Sequence, residues 1–170
     1  CPYGEYENRI IIPSFDEQGD CNFFIARTYY DDSYKYKNPP IAKSKMVFNE
    51  LLINFEKPVI IVEGVFDAIR AGNNAIPLLG STLSKKSLLR KRVVENNTVV
   101  YLALDADAVK KQNQIIKNLL KDNIKIFVID AKFFKKSEHS STNSGEICVL
   151  VCAISPQWII QSTFSSLSVL

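Results

Sequence analysis

The feature that most constrains the fold is an alternation of short apolar runs and helical patterns between Val59 and Ile129. Runs of four to eight residues rich in Val, Ile and Leu are typical of buried parallel strands. The intervening segments repeat their apolar residues at helical spacing. The resulting order, β-α-β-α-β-α-β, predicts a Rossmann-like α/β fold in which helices flank a parallel sheet joined by right-handed crossovers.

The strands of this unit are predicted at 58–63, 75–79, 98–104 and 124–129, and the helices at 65–71, 85–95 and 109–122. Ser84 is the predicted N-cap of the second helix. The first strand is not followed by GxGxxG, and GxxxxGK[ST] is absent from the sequence. The unit is therefore not predicted to bind a dinucleotide or to be a P-loop protein.

The part of the chain before this unit predicts a small β-hairpin subdomain. Strands are predicted at 9–15 and 22–30, joined by a turn at 16–20 in which Gly19 takes a positive φ. A loop follows at 31–45. Residues 46–55 have helical spacing, with Val47, Leu51 and Phe55 on one face, and predict a helix packed on the sheet.

Composition narrows the class of protein only modestly. The net charge is +3, from 21 basic and 18 acidic residues, and this alone does not indicate a nucleic-acid partner. The four cysteines form no CxxC pair and His139 is the single histidine, so a structural zinc site is not predicted. The scattered cysteines, and the lack of a signal peptide or membrane-spanning run, favour a cytoplasmic protein without a membrane partner. Because Cys1 replaces an initiator Met, we interpret the chain as a fragment.

Three carboxylates follow the predicted strands. Glu63 ends the first, and Asp105 and Asp107 come directly after the third. The carboxyl ends of parallel strands lie at one edge of an open sheet, where ligands bind, so we expect the three to converge. Mg²⁺ or Mn²⁺ suits such a site and supports phosphoryl transfer. The alternative is that they are ordinary loop and cap residues. Asp67 either stabilises a helix N-terminus or orients metal-bound water, and its neighbours favour the second role.

Each group of basic residues also allows two interpretations, one structural and one as a contact to nucleic acid. Arg27 lies in an apolar strand and suits either a salt bridge or a phosphate contact. Lysines alternate with tyrosines in the 31–45 loop, which is either solvated or binds phosphates and unpaired bases. The basic helix at 85–95 is either a solvated face or lies along a phosphate backbone.

Several motifs together resemble a known family. Glu63-Gly64-Val65-Phe66-Asp67-Ala68 and Asp105-Ala106-Asp107 resemble the two motifs of the Toprim domain, which occurs in DnaG-type primases, topoisomerases and some nucleases. The RxxxPxxDxxG pattern at 9–19, the basic residue Arg27, KYxNP at 35–39 and LGTxL-like residues at 79–83 are similar to DnaG-type primases alone. The resemblance covers about residues 9 to 130 and implies the RNA-polymerase core of a primase of phage or mobile-element type.

This resemblance implies roles for individual residues. The implied catalytic residues are Glu63, Asp67, Asp105 and Asp107, of which Glu63, Asp105 and Asp107 bind Mg²⁺ or Mn²⁺. The residues implied to bind nucleotide triphosphate or template are Arg27, Lys35, Lys37 and Asn38. The implied activity is the synthesis of RNA primers from NTPs on single-stranded DNA during replication, with a replicative helicase as a further partner. The alternatives are a Toprim nuclease that cuts DNA and a non-catalytic nucleic-acid-binding remnant.

The chain departs from the family pattern at two places. Ala106 replaces the glycine of the usual FDGDxAG motif, and Glu138 is the sole candidate for a further acidic motif after the fourth strand. We predict a hairpin, loop and helix part of the primase core at 1–56, a Toprim domain at 57–131 and an atypical segment at 132–170. That last segment is Ser-rich and is interpreted either as a divergent end or as an extra edge element of the sheet.

Overall fold

A computed structural model describes residues 4–31, 33–130, 152–155 and 158–161 of the chain. Two sheets and three α-helices are formed by these residues, one sheet antiparallel with two strands and the other mixed with six. No helix of this described part is long and apolar enough to cross a membrane.

The first sheet is the predicted hairpin. Strands β1 (Arg9–Phe15) and β2 (Cys21–Thr28) pair antiparallel, with Ile11 opposite Ala26. Gly19 in the turn has a φ of 89°, as predicted, a conformation that residues with a Cβ rarely adopt. The hairpin prediction is therefore confirmed, with the second strand ending two residues earlier than expected.

The second sheet contains the predicted α/β unit. Its elements in chain order are β3 (Val59–Val62), α1 (Val65–Ala71), β4 (Ala75–Pro77), α2 (Leu88–Glu95), β5 (Val100–Ala103), α3 (Val109–Lys121) and β6 (Ile126–Val128). The four strands are parallel in the order β4-β3-β5-β6. The predicted mixed α/β class, a parallel sheet flanked by helices and preceded by a hairpin, is confirmed.

Both faces of this sheet are covered, which explains why its strands are apolar throughout rather than alternating. Ile61 and Leu102 lie in the large core cluster together with residues of α2 and α3. Val62 and Ala103, one position along each strand, pack in a separate cluster with Ala68 of α1. The period-2 alternation of a strand therefore sends successive side chains to two different cores.

The hairpin packs on the sheet through a smaller core. Phe23 and Ile25 of β2 are in contact with a cluster that contains Met46, Phe48 and Val65 at the start of α1. This cluster joins the hairpin to the start of α1, which directly follows Glu63 and Gly64.

The helix predicted at 46–55 is wrong. In the structure a single 3₁₀ turn, Glu50–Leu52, occupies this segment, and Asn49 before it is left-handed with a φ of 55°. Met46, Val47 and Phe48 are all buried, whereas Leu51 is exposed. Three consecutive buried side chains wrap between the hairpin and the sheet, which one face of a helix does not allow because successive residues point about 100° apart.

Helix α2 begins at Leu88 with Ser87 as its N-cap, three residues later than the Ser84 start that was predicted. The N–H of Ser87 donates to the carbonyl of Ser84 at 2.9 Å and closes a turn before the helix. The lysines at 85 and 86 therefore belong to this turn.

Two further strands extend the sheet. β7 (Cys152–Ser155) pairs antiparallel with β6, and β8 (Trp158–Gln161) pairs antiparallel with β7. These strands agree with the interpretation of the C-terminal segment as an extra edge element. Glu138 lies outside the described residues.

Candidate metal site

The three carboxylates that follow the parallel strands line one open cleft. Glu63 comes directly after β3, and Asp105 and Asp107 follow β5 within four residues. β3 and β5 are neighbours, paired at Val62 and Ala103, so their carboxyl ends lie side by side. The cleft has a volume of about 830 Å³ and is lined by Glu63, Asp105, Asp107, Ala108, Val109, Lys110 and Lys111. We call it the carboxylate cleft.

A lysine forms an ion pair with Glu63, the first of these carboxylates. The Nζ atom of Lys111, in the first turn of α3, lies 3.1 Å from Oε1 of Glu63. The Lys111 side chain is 18% exposed and that of Glu63 is 37% exposed. Sequence reasoning did not single out Lys111. The signal that could have found it is the Lys110-Lys111 pair placed just after the DxD motif, at the start of a helix.

The donor set suits a small hard cation. Among the residues that the structure describes, no three Asp, Glu, His or Cys side chains already stand together as a ready-made metal group. Carboxylate oxygens are nevertheless the ligands that Mg²⁺ prefers, and it takes only one or two of them while keeping several waters. One oxygen of Glu63 already faces a cationic ammonium group. The oxygen ligands of the cleft therefore suit Mg²⁺ or Mn²⁺. The carboxylate side chains have to move toward one another to bind the same ion.

The backbone of Glu63 is held from two sides. Its carbonyl accepts a hydrogen bond from the N–H of Leu79 at 3.1 Å, and Leu79 has a left-handed φ of 51°. Strained conformations of this kind cluster at functional sites. On the other side, the N–H of Gly64 donates to Oδ2 of Asp67 at 3.2 Å. A Cβ on Gly64 would lie 3.1 Å from that oxygen, so the glycine leaves room for the Asp67 cap.

Asp67 is thus a helix-capping residue in the structure. It is the third residue of α1 and is not among the residues lining the carboxylate cleft. By accepting the hydrogen bond from Gly64, Asp67 stabilises the N-terminus of α1, which is one of the two roles predicted from the sequence. The catalytic role of Asp67 stays a prediction.

The Arg27 guanidinium lies between two aromatic rings. Its Cζ is 4.6 Å from the centroid of Phe66 and 5.6 Å from that of Tyr36. Phe66 belongs to the Glu63–Ala68 motif, and Tyr36 forms a β-bridge with Arg27. Cation–π contacts of this kind orient a guanidinium while leaving its N–H groups available to an anion.

The KYKNP loop runs along β2. The N–H of Thr28 donates to the carbonyl of Lys35 at 3.1 Å, and the N–H of Lys37 donates to the carbonyl of Ala26 at 2.9 Å. Oδ1 of Asn38 accepts from the N–H of Ala26 at 3.1 Å. Asn38 therefore fastens the loop to the strand.

The two lysines of this loop differ in their surroundings. Lys37 is paired with Glu5, with Nζ 3.1 Å from Oε1, and lies 5.6 Å from the ring of Tyr6. Lys35 is exposed. Of the four residues expected to bind nucleotide or template, Lys37 and Asn38 thus have polar partners among the described residues, at Glu5 and Ala26.

Two arginines of the predicted basic helix hold the fold together. Arg90 is buried; its Nε donates to Asp122 at 2.6 Å and its Nη1 to the carbonyl of Leu83 at 3.3 Å. The hydrogen bond from Arg90 lowers the pKa of Asp122. Arg92 donates to buried Glu50 at 2.7 Å and lies 2.7 Å from Glu17 in the hairpin turn.

These contacts engage Arg90 and Arg92 within the fold, whereas Lys91 on the same helix is exposed. Hydrogen bonds that Arg92 donates to Glu50 and then to Glu17 raise the pKa of Arg92, while those that Gln18 and then Arg92 donate to Glu17 lower the pKa of Glu17. Arg92 therefore links the hairpin turn and the 3₁₀ turn at Glu50 to α2. Arg90 and Arg92 therefore bind other parts of the chain, and contact of this helix with a phosphate backbone stays a prediction.

The chain is similar in sequence to DNA primases. No protein-family model matches the chain. The chain is 34% identical over 118 residues to the DNA primase of Synechococcus elongatus, which is 62% of this chain and 17% of the primase. It is 28% identical to the DNA primase of Synechocystis sp., over 92% of this chain and 28% of that protein. The chain spans between about a sixth and three tenths of the length of these relatives.

Solved structures agree in fold. A DNA primase domain from Pseudomonas aeruginosa matches with a TM-score of 0.65 and 20% identity, over 81% of this chain and 50% of that one. The zinc-binding and RNA polymerase domains of the Aquifex aeolicus primase match with a TM-score of 0.62 and 23% identity, over 79% and 38%. A DnaG primase catalytic domain bound to ssDNA matches with a TM-score of 0.64 and 17% identity, over 80% and 50%. The resemblance to a segment of DnaG-type primases is confirmed in sequence and in fold.

Proposed function

We propose that this chain, which is similar in sequence and fold to a segment of DnaG-type DNA primases, is part of a primase RNA-polymerase core that synthesises short RNA primers on single-stranded DNA. The observation that carries the proposal is the carboxylate cleft. Glu63, Asp105 and Asp107 line it together, at the edge of the sheet where α/β proteins bind ligands. The fold that holds them there is that of the primase catalytic core.

In this proposal Glu63, Asp105 and Asp107 hold Mg²⁺ or Mn²⁺. The ion would polarise the α-phosphate of an NTP and stabilise the charge that develops on its oxygens. Asp67 supports Glu63 through the Gly64 turn that separates them. The reaction joins NTPs by attack of a 3′-hydroxyl on the α-phosphate, with pyrophosphate as the leaving group.

The nucleotide contacts are proposed for Arg27 and for the KYKNP loop. Arg27, oriented by Phe66 and Tyr36, is suited to the triphosphate because a guanidinium binds phosphate oxygens in pairs. Lys35 adds an exposed positive charge on the same loop. Lys37 and Asn38 contribute by holding that loop in place, through Glu5 and Ala26.

The partners of a DnaG-type primase complete the proposal. They are a single-stranded DNA template, NTPs and a replicative helicase, in the cytoplasm of a bacterial or phage-infected cell. The catalytic domain of similar fold that was solved with ssDNA supports the template. We propose a hairpin and loop part at 1–56, a Toprim domain at 57–131 and a C-terminal segment at 132–170.

A primer-synthesis assay tests the proposal. The chain is incubated with labelled NTPs, single-stranded DNA and Mg²⁺, and the products are separated by length. We expect short RNA products that disappear in Glu63→Gln and Asp105→Asn, both folded by circular dichroism. Metal-dependent nicking of DNA without NTP incorporation would favour a Toprim nuclease instead. Binding of single-stranded DNA without either reaction would indicate a non-catalytic remnant.

A further inference from the structure

The ion pair between Lys111 and Glu63 is more enclosed than the other lysine pairs of the described residues. The Lys111 side chain is 18% exposed, against 43% for Lys37 and 64% for Lys91 in their pairs. Enclosure strengthens an ion pair because water screens it less. The pair of Lys111 with Glu63 is therefore less screened by water than the pairs of Lys37 and Lys91.

A divalent cation and this ammonium group make opposing demands on Glu63. The Lys111 Nζ lies 3.1 Å from Oε1, a distance at which a cation bound to the same carboxylate would be repelled by it. The other two carboxylates of the cleft, Asp105 and Asp107, come from a different strand end. A cation bound by all three must therefore replace or displace the ammonium group.

Neighbouring Lys110 provides an internal comparison. It lines the same carboxylate cleft from the same turn of α3 and carries the same charge. The 3.1 Å contact with Glu63 belongs to Lys111. Any effect of general positive charge in the cleft should appear at both residues, whereas an effect of direct competition should appear at Lys111.

We propose that Lys111 is a built-in counter-ion that competes with the divalent metal for Glu63 and thereby sets the metal concentration at which the site fills. The inference rests on the proposed function, because it takes the cleft to be a metal site. Without metal, the ammonium group neutralises Glu63. With metal, Lys111 leaves the carboxylate, and the cost of separating the pair is subtracted from the metal affinity.

Direct binding of Mn²⁺ to the 170-residue chain, followed by the electron paramagnetic resonance signal of the free ion, tests this proposal. Lys111→Met keeps the length of the side chain and removes its charge, and Lys110→Met is the matched control. We expect Lys111→Met to bind Mn²⁺ roughly tenfold more tightly than the unmodified chain, equivalent to about 1.4 kcal/mol. Lys110→Met should change the affinity by less than about threefold, as expected for an exposed charge.

A second variant separates the loss of charge at position 111 from an effect of substitution on folding. Lys111→Arg keeps the charge and should keep the weaker affinity of the unmodified chain. Equal tightening in Lys111→Met and Lys110→Met, or weaker binding in Lys111→Met, would overturn the competition. A different result is expected if the carboxylate cleft is not a metal site. The unmodified chain and Glu63→Gln would then bind Mn²⁺ equally or not at all.

Discussion

The guanidinium of Arg27 lies 4.6 Å from the ring of Phe66, which joins the hairpin to the helix that follows Glu63. Phe66 is three residues beyond Glu63, so a residue of the proposed metal-binding motif also orients a residue proposed to bind the nucleotide. This contact thus links the proposed metal-binding motif to the residue proposed to bind the nucleotide. This link suggests that changes at Phe66 alter nucleotide binding without touching a metal ligand.

Phe66→Leu tests that link. Leucine retains apolar volume but lacks the ring, so Arg27 loses a cation–π contact worth about 0.5–2 kcal/mol. We expect the KM for NTP to rise about three- to tenfold while kcat changes little, since the carboxylate cleft is untouched. Steady-state kinetics of primer synthesis measures both constants.

Phe24→Leu is the control for this variant. Phe24 lies in β2 of the hairpin, and its ring packs edge-to-face on Tyr6 with centroids 5.2 Å apart. Its substitution should leave the KM within experimental scatter. An equal rise of KM in both variants would mean that Phe66 acts through general packing.

Arg92→Met should destabilise the fold. The change leaves Glu50, which is 6% exposed, as a buried carboxylate without its 2.7 Å partner. Breaking a buried pair from one side costs about 3 kcal/mol in the free energy of unfolding. Urea denaturation measures the loss, and adding Glu50→Gln to Arg92→Met should recover part of it.

Lys91→Met is the matched comparison, because Lys91 and Glu95 form an exposed pair at 3.6 Å on the same helix. Such a pair contributes less than about 0.5 kcal/mol. A similar loss in Lys91→Met and Arg92→Met would contradict the view that Arg92 fastens the hairpin turn and the 3₁₀ turn to α2.

Asp122 makes the stability of the fold depend on pH. The hydrogen bond from Arg90 lowers the pKa of Asp122 below its ordinary value of 3.8. A group whose pKa is lower in the folded state stabilises the protein above its unfolded pKa, and this contribution is lost as the pH falls through the folded pKa. Asp122→Asn should therefore be less stable than the unmodified chain at pH 7, with a difference that shrinks below about pH 4.

Urea denaturation at a series of pH values measures this difference, because carboxylates shared by the two proteins cancel. Glu95→Gln, which removes a carboxylate of an exposed pair, should show a difference that is small at every pH. A constant gap between Asp122→Asn and the unmodified chain down to pH 3 would show that Arg90 does not act through the charge of Asp122.

Asp67 distinguishes a supporting role from metal binding. Its carboxylate caps the turn at Gly64, and removal of a cap in Asp67→Ala should cost about 1 kcal/mol of stability. Because Asp67 does not line the carboxylate cleft, we expect the Mn²⁺ affinity to fall much less than in Glu63→Gln. Losses of equal size in titrations of the two variants would make Asp67 a metal ligand.

Much of the α/β unit was predictable because its pattern is local. α1 was predicted at its observed bounds, and α3 within one residue of them. That Glu63, Asp105 and Asp107 line one cleft followed from the rule that parallel strand ends share an edge. Each of these inferences needs only the period of the apolar residues and the strand order.

The features that sequence reasoning missed depend on distant partners. Lys111 meets Glu63 across 48 positions, and Arg92 meets Glu50 across 42. The segment at 46–55 has helical spacing but is recruited by two cores at once, so tertiary packing overrides its local preference. Neither effect leaves a periodic trace in the sequence.

The most direct test of the central claim is the position of Mn²⁺ in crystals of the chain, located by its anomalous scattering. We predict a peak in the carboxylate cleft, roughly 2 Å from oxygens of Glu63 and of Asp105 or Asp107, with the Lys111 ammonium displaced from Glu63. A peak elsewhere, with the 3.1 Å pair between Lys111 and Glu63 intact at saturating Mn²⁺, would contradict the assignment of this cleft as the metal site.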